Sequence, residues 1–228
     1  MRGHVRERLP WSQLTSWASG LAALDLPDDV LILLAHEPAH EPAHGTAPPE
    51  GGLATAPIPG DSTPGRSRAP GRIPAPTPGA VAALAGHQAA VIAVRLHICS
   101  PVADTRVRLS VTSIGVATLA RIASFAGAPV QGELALVPVD EFAREMERWI
   151  PRRPGRSRSG PAAEIRVEVL VPADSARKER WVACDGRWWC VQEGTGQRHR
   201  VATVCQLQEE LLSLLLARWA NTGWVERG

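Results

Sequence analysis

The stretch ERWVACDGRWWCVQEGTGQRHRVATVCQLQEELLSLLLARW, residues 179–219, decides how the rest of the chain is read. Trp181-Val182-Ala183-Cys184 and Arg187-Trp188-Trp189-Cys190-Val191 are β-prone runs separated only by Asp185-Gly186. A two-residue Asp-Gly link suits a type I′ turn, which needs positive φ at both central positions, and so signals a tight hairpin. Such a turn pairs Cys184 with Arg187, Ala183 with Trp188, Val182 with Trp189 and Trp181 with Cys190. Side chains alternate along a strand, so Trp181, Ala183, Trp188 and Cys190 share one face, and Val182, Cys184 and Trp189 share the other. One face is expected to meet the core. The other must meet a helix, a neighbouring sheet or a partner.

Beyond the hairpin, Arg198 to Ala202 reads as a further strand. Thr203 and Gln206 then stand in the spacing of a capping box, which satisfies the free backbone donors at a helix start. Leu207, Leu211, Leu214 and Leu215 come next at i, i+4, i+7 and i+8, an apolar stripe whose burial is worth roughly 1.5–3 kcal/mol per side chain. Leu212, Leu216 and Trp219 fall outside that stripe. The helix is apolar over more than half its circumference and has a face to spare. Asn221-Thr222-Gly223 is its expected stop.

Upstream, the same programme occurs once before. The runs 89–99, 105–112, 115–125 and 133–139 carry β-branched alternation, and Val107, Leu109 and Val111 alternate with Arg106, Arg108 and Ser110 as in a half-buried antiparallel strand. Asp140 stands where it can cap a helix that places Phe142, Met146, Trp149 and Ile150 at i, i+4, i+7 and i+8, ended by Pro151. The basic loop 152–158 comes after it, and Glu164 to Val171 opens the second round. The expected fold is therefore α+β: an antiparallel sheet with helices on one face, in two pseudo-symmetric lobes that each run several strands and then a helix. The lobes are expected at 80–151 and 163–228, with 152–162 as a basic linker between them.

The N-terminal part reads differently. Residues 1–36 form a helical segment in which residues 1–9 are frayed. Leu14, Trp17, Leu21 and Leu24 recur on one helix, and Asp28 or Asp29 caps a second that runs through Leu34. Glu37-Pro38-Ala39-His40 is repeated as Glu41-Pro42-Ala43-His44, and from Ala47 to Gly79 the chain is Pro, Gly, Ser, Thr and Arg with almost nothing to bury. Residues 37–79 are expected to be a disordered insertion, since such a composition cannot offset the entropy of ordering.

Composition narrows the function classes. In 228 residues the net charge is +2, eight of the ten aromatics are tryptophan and Lys178 is the only lysine. That balance makes no case for nucleic acid or an anionic membrane as the main partner. The longest apolar run, Val30 to Ala35, is too short to span a bilayer. The four cysteines, Cys99, Cys184, Cys190 and Cys205, show no CxxC pair and read as reduced thiols of a cytoplasmic protein. A Cys184–Asp185–His199 nucleophile and a Cys184–Cys190–His199–Cys205 zinc set both lack the geometry or spacing their chemistry needs. No catalytic, metal or cofactor site is expected.

Three stretches resemble a known family. GELALVPVDEFAREMERWIP, residues 132–151, leading into a Pro/Gly/Arg loop and a new strand, is similar to the middle of EspG-type proteins, the cytosolic chaperones of type VII (ESX) secretion. There a strand leads through a "pv" step, here Val137-Pro138-Val139-Asp140, into a helix that ends in Leu-Pro, here Trp149-Ile150-Pro151. Near the C-terminus, Asp185-Gly186-Arg187-Trp188 resembles the family's D-x-x-GRY, with Trp188 in place of tyrosine and the two-residue spacer missing. Leu24-Asp25-Leu26-Pro27 is similar to its N-terminal L-x-L-P segment. The family has ordered helices where this chain has the low-complexity stretch 37–79. The resemblance implies a two-lobed α+β fold and a non-enzymatic role: binding the tip of a helical PE/PPE-type substrate, keeping it soluble and directing it to secretion. Trp188, Trp189, Leu212, Leu216 and Trp219 are the candidate partner-binding residues. The alternative reading is a small-molecule-binding regulatory or enzyme-accessory domain.

Overall fold

The structure, a computed structural model, describes residues 5–20, 24–35, 74–113, 115–154, 163–171, 176–191 and 197–221, the side chains of His199 and of 218–221 excepted. Its strands are β1 (Val5–Pro10), β2 (Ile92–Cys99), β3 (Ala103–Val111), β4 (Val116–Ser124), β5 (Gln131–Val137), β6 (Glu164–Leu170), β7 (Arg177–Cys184), β8 (Arg187–Val191) and β9 (Arg198–Ala202). Its helices are α1 (Trp11–Gly20), α2 (Asp28–Ala35), α3 (Pro78–Gln88), α4 (Phe142–Trp149) and α5 (Val204–Asn221). All nine strands join one antiparallel sheet in the order β1-β5-β4-β3-β2-β6-β7-β8-β9.

This order makes the repeat concrete. β2 to β5 and β6 to β9 are two four-stranded meanders, joined where β2 and β6 pair antiparallel with Leu96 opposite Val167. An approximate two-fold axis perpendicular to the sheet relates them, and such an axis keeps faces the same. The helices that end the two meanders therefore pack on one common face. There Phe142, Met146 and Ile150 of the α4 region and Leu207, Leu211 and Leu215 of α5 join Ile92, Val94, Leu109, Ile165, Trp181 and Trp188 in one continuous core.

Helices also pack on the first-meander part of the opposite face, which corrects the expectation of helices on one face alone. Along β4, Val116 and Ala120 face α4, whereas Leu119 points the other way into a second core with Leu14, Trp17, Val30, Ala83 and Leu84 of α1 to α3. Glycines set how closely these helices approach. A Cβ on Gly132 of β5 would lie 2.8 Å from Leu14 Cδ1, and one on Gly86 of α3 would lie 2.7 Å from the Ala117 methyl. Residues 5–10 are not frayed but form edge strand β1 on β5. Residues 74–79, expected in the disordered insertion, are also ordered: Thr77 caps α3 by accepting from Ala80 N at 3.0 Å, and Pro74 O accepts from Trp17 Nε1 at 2.6 Å. Residues 37–73 lie outside the described residues. Asp140 is not a cap, because the chain enters α4 through a 3-10 turn, Val139–Glu141, without a side-chain cap.

The hairpin is as read. Asp185 and Gly186 have φ of 55° and 73°, and the four pairs from Cys184–Arg187 to Trp181–Cys190 are those the turn dictates. Cys190 is buried and Cys184 lies on the other face, so the two do not form a dithiol pair.

Glu133 and His87 are among the polar groups sealed in the layers. Glu133 of β5, fully buried on the α4 face, accepts from Arg6 Nη1 at 2.6 Å, from Arg8 Nε at 3.0 Å and from Arg148. His87 of α3 is also fully buried, with Nδ1 2.7 Å from Ser110 Oγ. Burial, with the Arg108 charge second, pushes its pKa down to about 3. An unfolded imidazole titrates near 6.5, so between these values the unfolded chain binds the extra proton. The stabilisation from keeping His87 neutral is present above about pH 6.5 and is lost as the pH falls toward 3, by up to about 1.4 kcal/mol per pH unit. Urea midpoints measured from pH 6.5 to 4.5 are expected to fall steeply for the wild type and less steeply for His87→Gln. Parallel slopes would show that the imidazole titrates freely in the fold.

Candidate partner-binding surface

α5 begins where its sequence says it should, with Gln206 N donating to Thr203 Oγ1 at 3.1 Å. Leu207, Leu211 and Leu215, strictly four apart, are buried against the sheet. Gln208 reaches across to α4 and donates from Nε2 to Ala143 O at 2.8 Å. Leu214, assigned to the buried stripe by its spacing, is instead 38% exposed, because it lies one step around the helix from the Leu211–Leu215 line. On the opposite flank of the stripe, Leu212 at 47% and Leu216 at 63% exposed, one turn apart, make an apolar outer surface on the same helix that closes the core.

On the Leu214 flank runs a groove of about 630 Å³ between α5 and the end of β6. Val169, Val171, Leu207, Leu211 and Leu214 give it an apolar floor, and Arg177 paired with Glu210 forms its charged rim. An apolar strip with a polar rim is the general form of a protein-binding patch.

The five candidates separate. Leu212 and Leu216 lie together on α5 and are exposed. Trp188 is a correction: it is 3% exposed, it belongs to the core, and its Nε1 donates to Pro151 O at 2.9 Å just beyond α4. Strand alternation sends Trp188 to the α4/α5 face, where it has no access to a partner. Trp189, its neighbour, points to the opposite face, half-buried with the Arg198 guanidinium 5.8 Å from its ring centroid. The backbone of Trp219 is within α5, but its side chain lies outside the described residues. The residue missed by sequence reasoning is Leu214. The signal for it was present, since 207, 211 and 215 alone complete an i+4 row.

The sheet face away from α4 and α5 carries charge. Arg95 and Lys178 flank Glu168, and Arg166 and Arg180 flank Glu164. A cavity of about 390 Å³ opens there beneath α2, lined by Asp29, Ile32, Arg95, Arg106, Arg108 and Arg166 among others. Arg108, 5% exposed, pairs with Asp29 through Nε–Oδ2 at 3.2 Å and keeps a buried Nη1 without a hydrogen-bond partner. Burial outweighs the Asp29 charge and holds its pKa below the usual guanidinium value.

Of the chemistry weighed from sequence, Cys184 Sγ lies 3.4 Å from Asp185 Oδ2, a contact between neighbours at the hairpin turn. The His199 side chain lies outside the described residues. Among the described residues, no helix is long and apolar enough to cross a membrane. The chain matches no protein-family model, no curated protein and no solved structure.

Proposed function

We propose that the protein is a cytosolic, non-enzymatic chaperone of the EspG kind, which holds the apolar tip of a helical PE/PPE-type secretion substrate against the outer surface of α5. The observation that carries this reading is the pair Leu212 and Leu216, one turn apart and exposed on a helix whose other side is locked into the core. Two adjacent leucines kept in water have no folding role, and covering them on a partner recovers their transfer free energy. On the other flank of α5, Leu214 borders the groove with the Arg177–Glu210 rim, a second apolar strip with a polar edge. The strand-run-plus-helix repeat agrees with the two-lobed architecture that the resemblance implies.

The test is co-expression with a helical PE/PPE-type pair encoded beside this chain, then co-purification from cytosol. The wild type is expected to retain the pair. A Leu212→Glu, Leu216→Glu double variant is expected to lose it while keeping its own stability within about 1 kcal/mol, since both sites are on the surface. Failure of the wild type to co-purify, or undiminished capture by the double variant, would overturn the reading.

A second reading, a regulatory domain that binds a small anion, is favoured by the arginine-lined cavity beneath α2 and the buried, unpaired Nη1 of Arg108. Equilibrium dialysis against labelled small carboxylates separates the two readings, because Arg106→Gln would abolish that binding and leave substrate capture intact.

A further inference from the structure

Three metal-ligating side chains converge near the turn of the β2–β3 hairpin, on the face away from α4 and α5. Alternation along β2 puts His97 and Cys99 on that face, and the register sets Asp104 directly opposite Cys99. One donor atom from each lies within 4.8 Å of the other two. His97 Nε2 is 2.8 Å from Asp104 Oδ1 and 3.3 Å from Cys99 Sγ. A single ring nitrogen thus faces a carboxylate oxygen and a sulfur at once. Nε2 carries either one proton or one lone pair, so it serves one of these neighbours and leaves the other without a strong partner. A cation among them engages all three.

We propose that His97, Cys99 and Asp104 form a binding site for a divalent transition metal of the Zn²⁺/Co²⁺ class. The donor set selects that class, since thiolate disfavours the hard cations Mg²⁺ and Ca²⁺, whereas imidazole, thiolate and carboxylate together suit a borderline-soft ion. Metal–ligand bonds of about 2.0–2.3 Å at tetrahedral angles put ligand atoms about 3.3–3.8 Å apart, so the His97–Asp104 contact has to open by under about 1 Å. Binding replaces the thiol proton: Cys–SH and M²⁺ give Cys–S–M⁺ and a proton released to solvent, with no change of oxidation state. Thiolate and carboxylate then balance the charge of the ion.

The surroundings set the strength of the site. Glu164 of β6 is register partner to Cys99 on its other side and brings a further carboxylate to that edge, held by Arg180 Nη2 at 2.6 Å and Arg166 Nε at 3.4 Å. Water or Glu164 completes the coordination. Arg106 of β3, with Nε 3.9 Å from Asp104 Oδ2, and Arg121 of β4, paired in register with Arg106, add positive potential that opposes a cation. The site is therefore open and weaker than a closed four-ligand structural zinc site. It stands on the β2–β3 hairpin, not on α5, and does not depend on the chaperone reading.

The test is titration of the full-length, metal-stripped and reduced chain with CoCl2, read by absorption. One equivalent is expected to give a sulfur-to-cobalt charge-transfer band that ZnCl2 displaces. Cys99→Ser, at an exposed position, is expected to abolish the band with an unchanged circular-dichroism spectrum. Asp104→Asn is expected to weaken cobalt binding by roughly 10–100-fold. Binding through the histidines of 36–44 gives no sulfur band, so a His40→Ala, His44→Ala variant is expected to keep it. No band in the wild type, or a band that survives Cys99→Ser, would overturn the proposal.

Discussion

Trp188→Ala is expected to destabilise the protein by about 3–5 kcal/mol, the range for removing a buried aromatic side chain from a packed core. The ring is 3% exposed among the α4, α5 and sheet side chains, and the hydrogen bond from its Nε1 to Pro151 O ties the hairpin to the chain just beyond α4. Alanine leaves a cavity and removes the donor that satisfies the Pro151 carbonyl. Trp189→Ala, one residue on, is expected to cost under about 2 kcal/mol, because that side chain is half-buried on the other face of the sheet. Urea denaturation of the two variants side by side checks this, and equal losses would show that Trp188 does not sit in the core. The contrast also governs how partner-binding data are read: loss of capture in a Trp188 variant reports unfolding, whereas loss in Leu212 or Leu216 variants reports the surface.

Glu133→Gln is the second large effect, expected at about 3–5 kcal/mol, as for breaking one side of a buried ion pair. Its carboxylate is fully buried among Arg6, Arg8 and Arg148, while Glu145 beside it accepts from Arg6 Nη2, from Thr118 Oγ1 at 3.1 Å and from Trp149 Nε1 at 3.3 Å. A neutral amide removes one of the two carboxylates of this cluster, leaving Arg6 and Arg148 with Glu145 alone and Arg8 without its ion-pair partner. Burial pushes the Glu133 pKa up, but hydrogen bonds from Arg148, Arg8 and Arg6 and the Arg148 charge outweigh it and hold the carboxyl below its ordinary value. A depressed folded-state pKa means stability that is present above the unfolded value near 4.3 and is lost as the pH falls through the folded one. The stability gap between wild type and Glu133→Gln is therefore expected to be full at pH 7 and to shrink below about pH 4.3. Arg8→Gln, at a side chain 69% exposed, is expected to cost no more than about 1 kcal/mol. A gap that stayed constant down to pH 3 would show that the carboxylate draws no stability from its charge.

Glu133 also shows where sequence reading stops. In the strand Glu133 to Val139 it reads as a polar residue at the start of an alternation. Its burial depends on β1 pairing with β5 and bringing Arg6 and Arg8 beside it, a contact across more than 120 residues. β1 was itself illegible: six residues rich in charge look frayed until an open sheet edge is present to accept them. α3 was hidden for another reason, since Pro-Gly-Ala-Val-Ala-Ala-Leu-Ala-Gly has too little polar contrast to show a helical face. The His97–Cys99–Asp104 cluster has a local trace, histidine and cysteine two apart with an aspartate beyond the turn, but only the β2–β3 register brings the aspartate opposite the cysteine.

What the sequence determined alone is everything that one turn or one period can dictate. Asp185-Gly186 set the hairpin register, Thr203 set the start of α5, and period-two alternation set which tryptophan of the Trp188-Trp189 pair shared a face with Trp181. These are local rules acting over a few residues, and they hold whatever surrounds them. Only the tertiary structure decided which of the two hairpin faces would be the core, that the two meanders join through β2 and β6 into one sheet, and that α1 to α3 cover the first-meander part of the face left bare by α4 and α5. Those outcomes depend on which apolar surfaces find each other across the chain, and no local period carries that information.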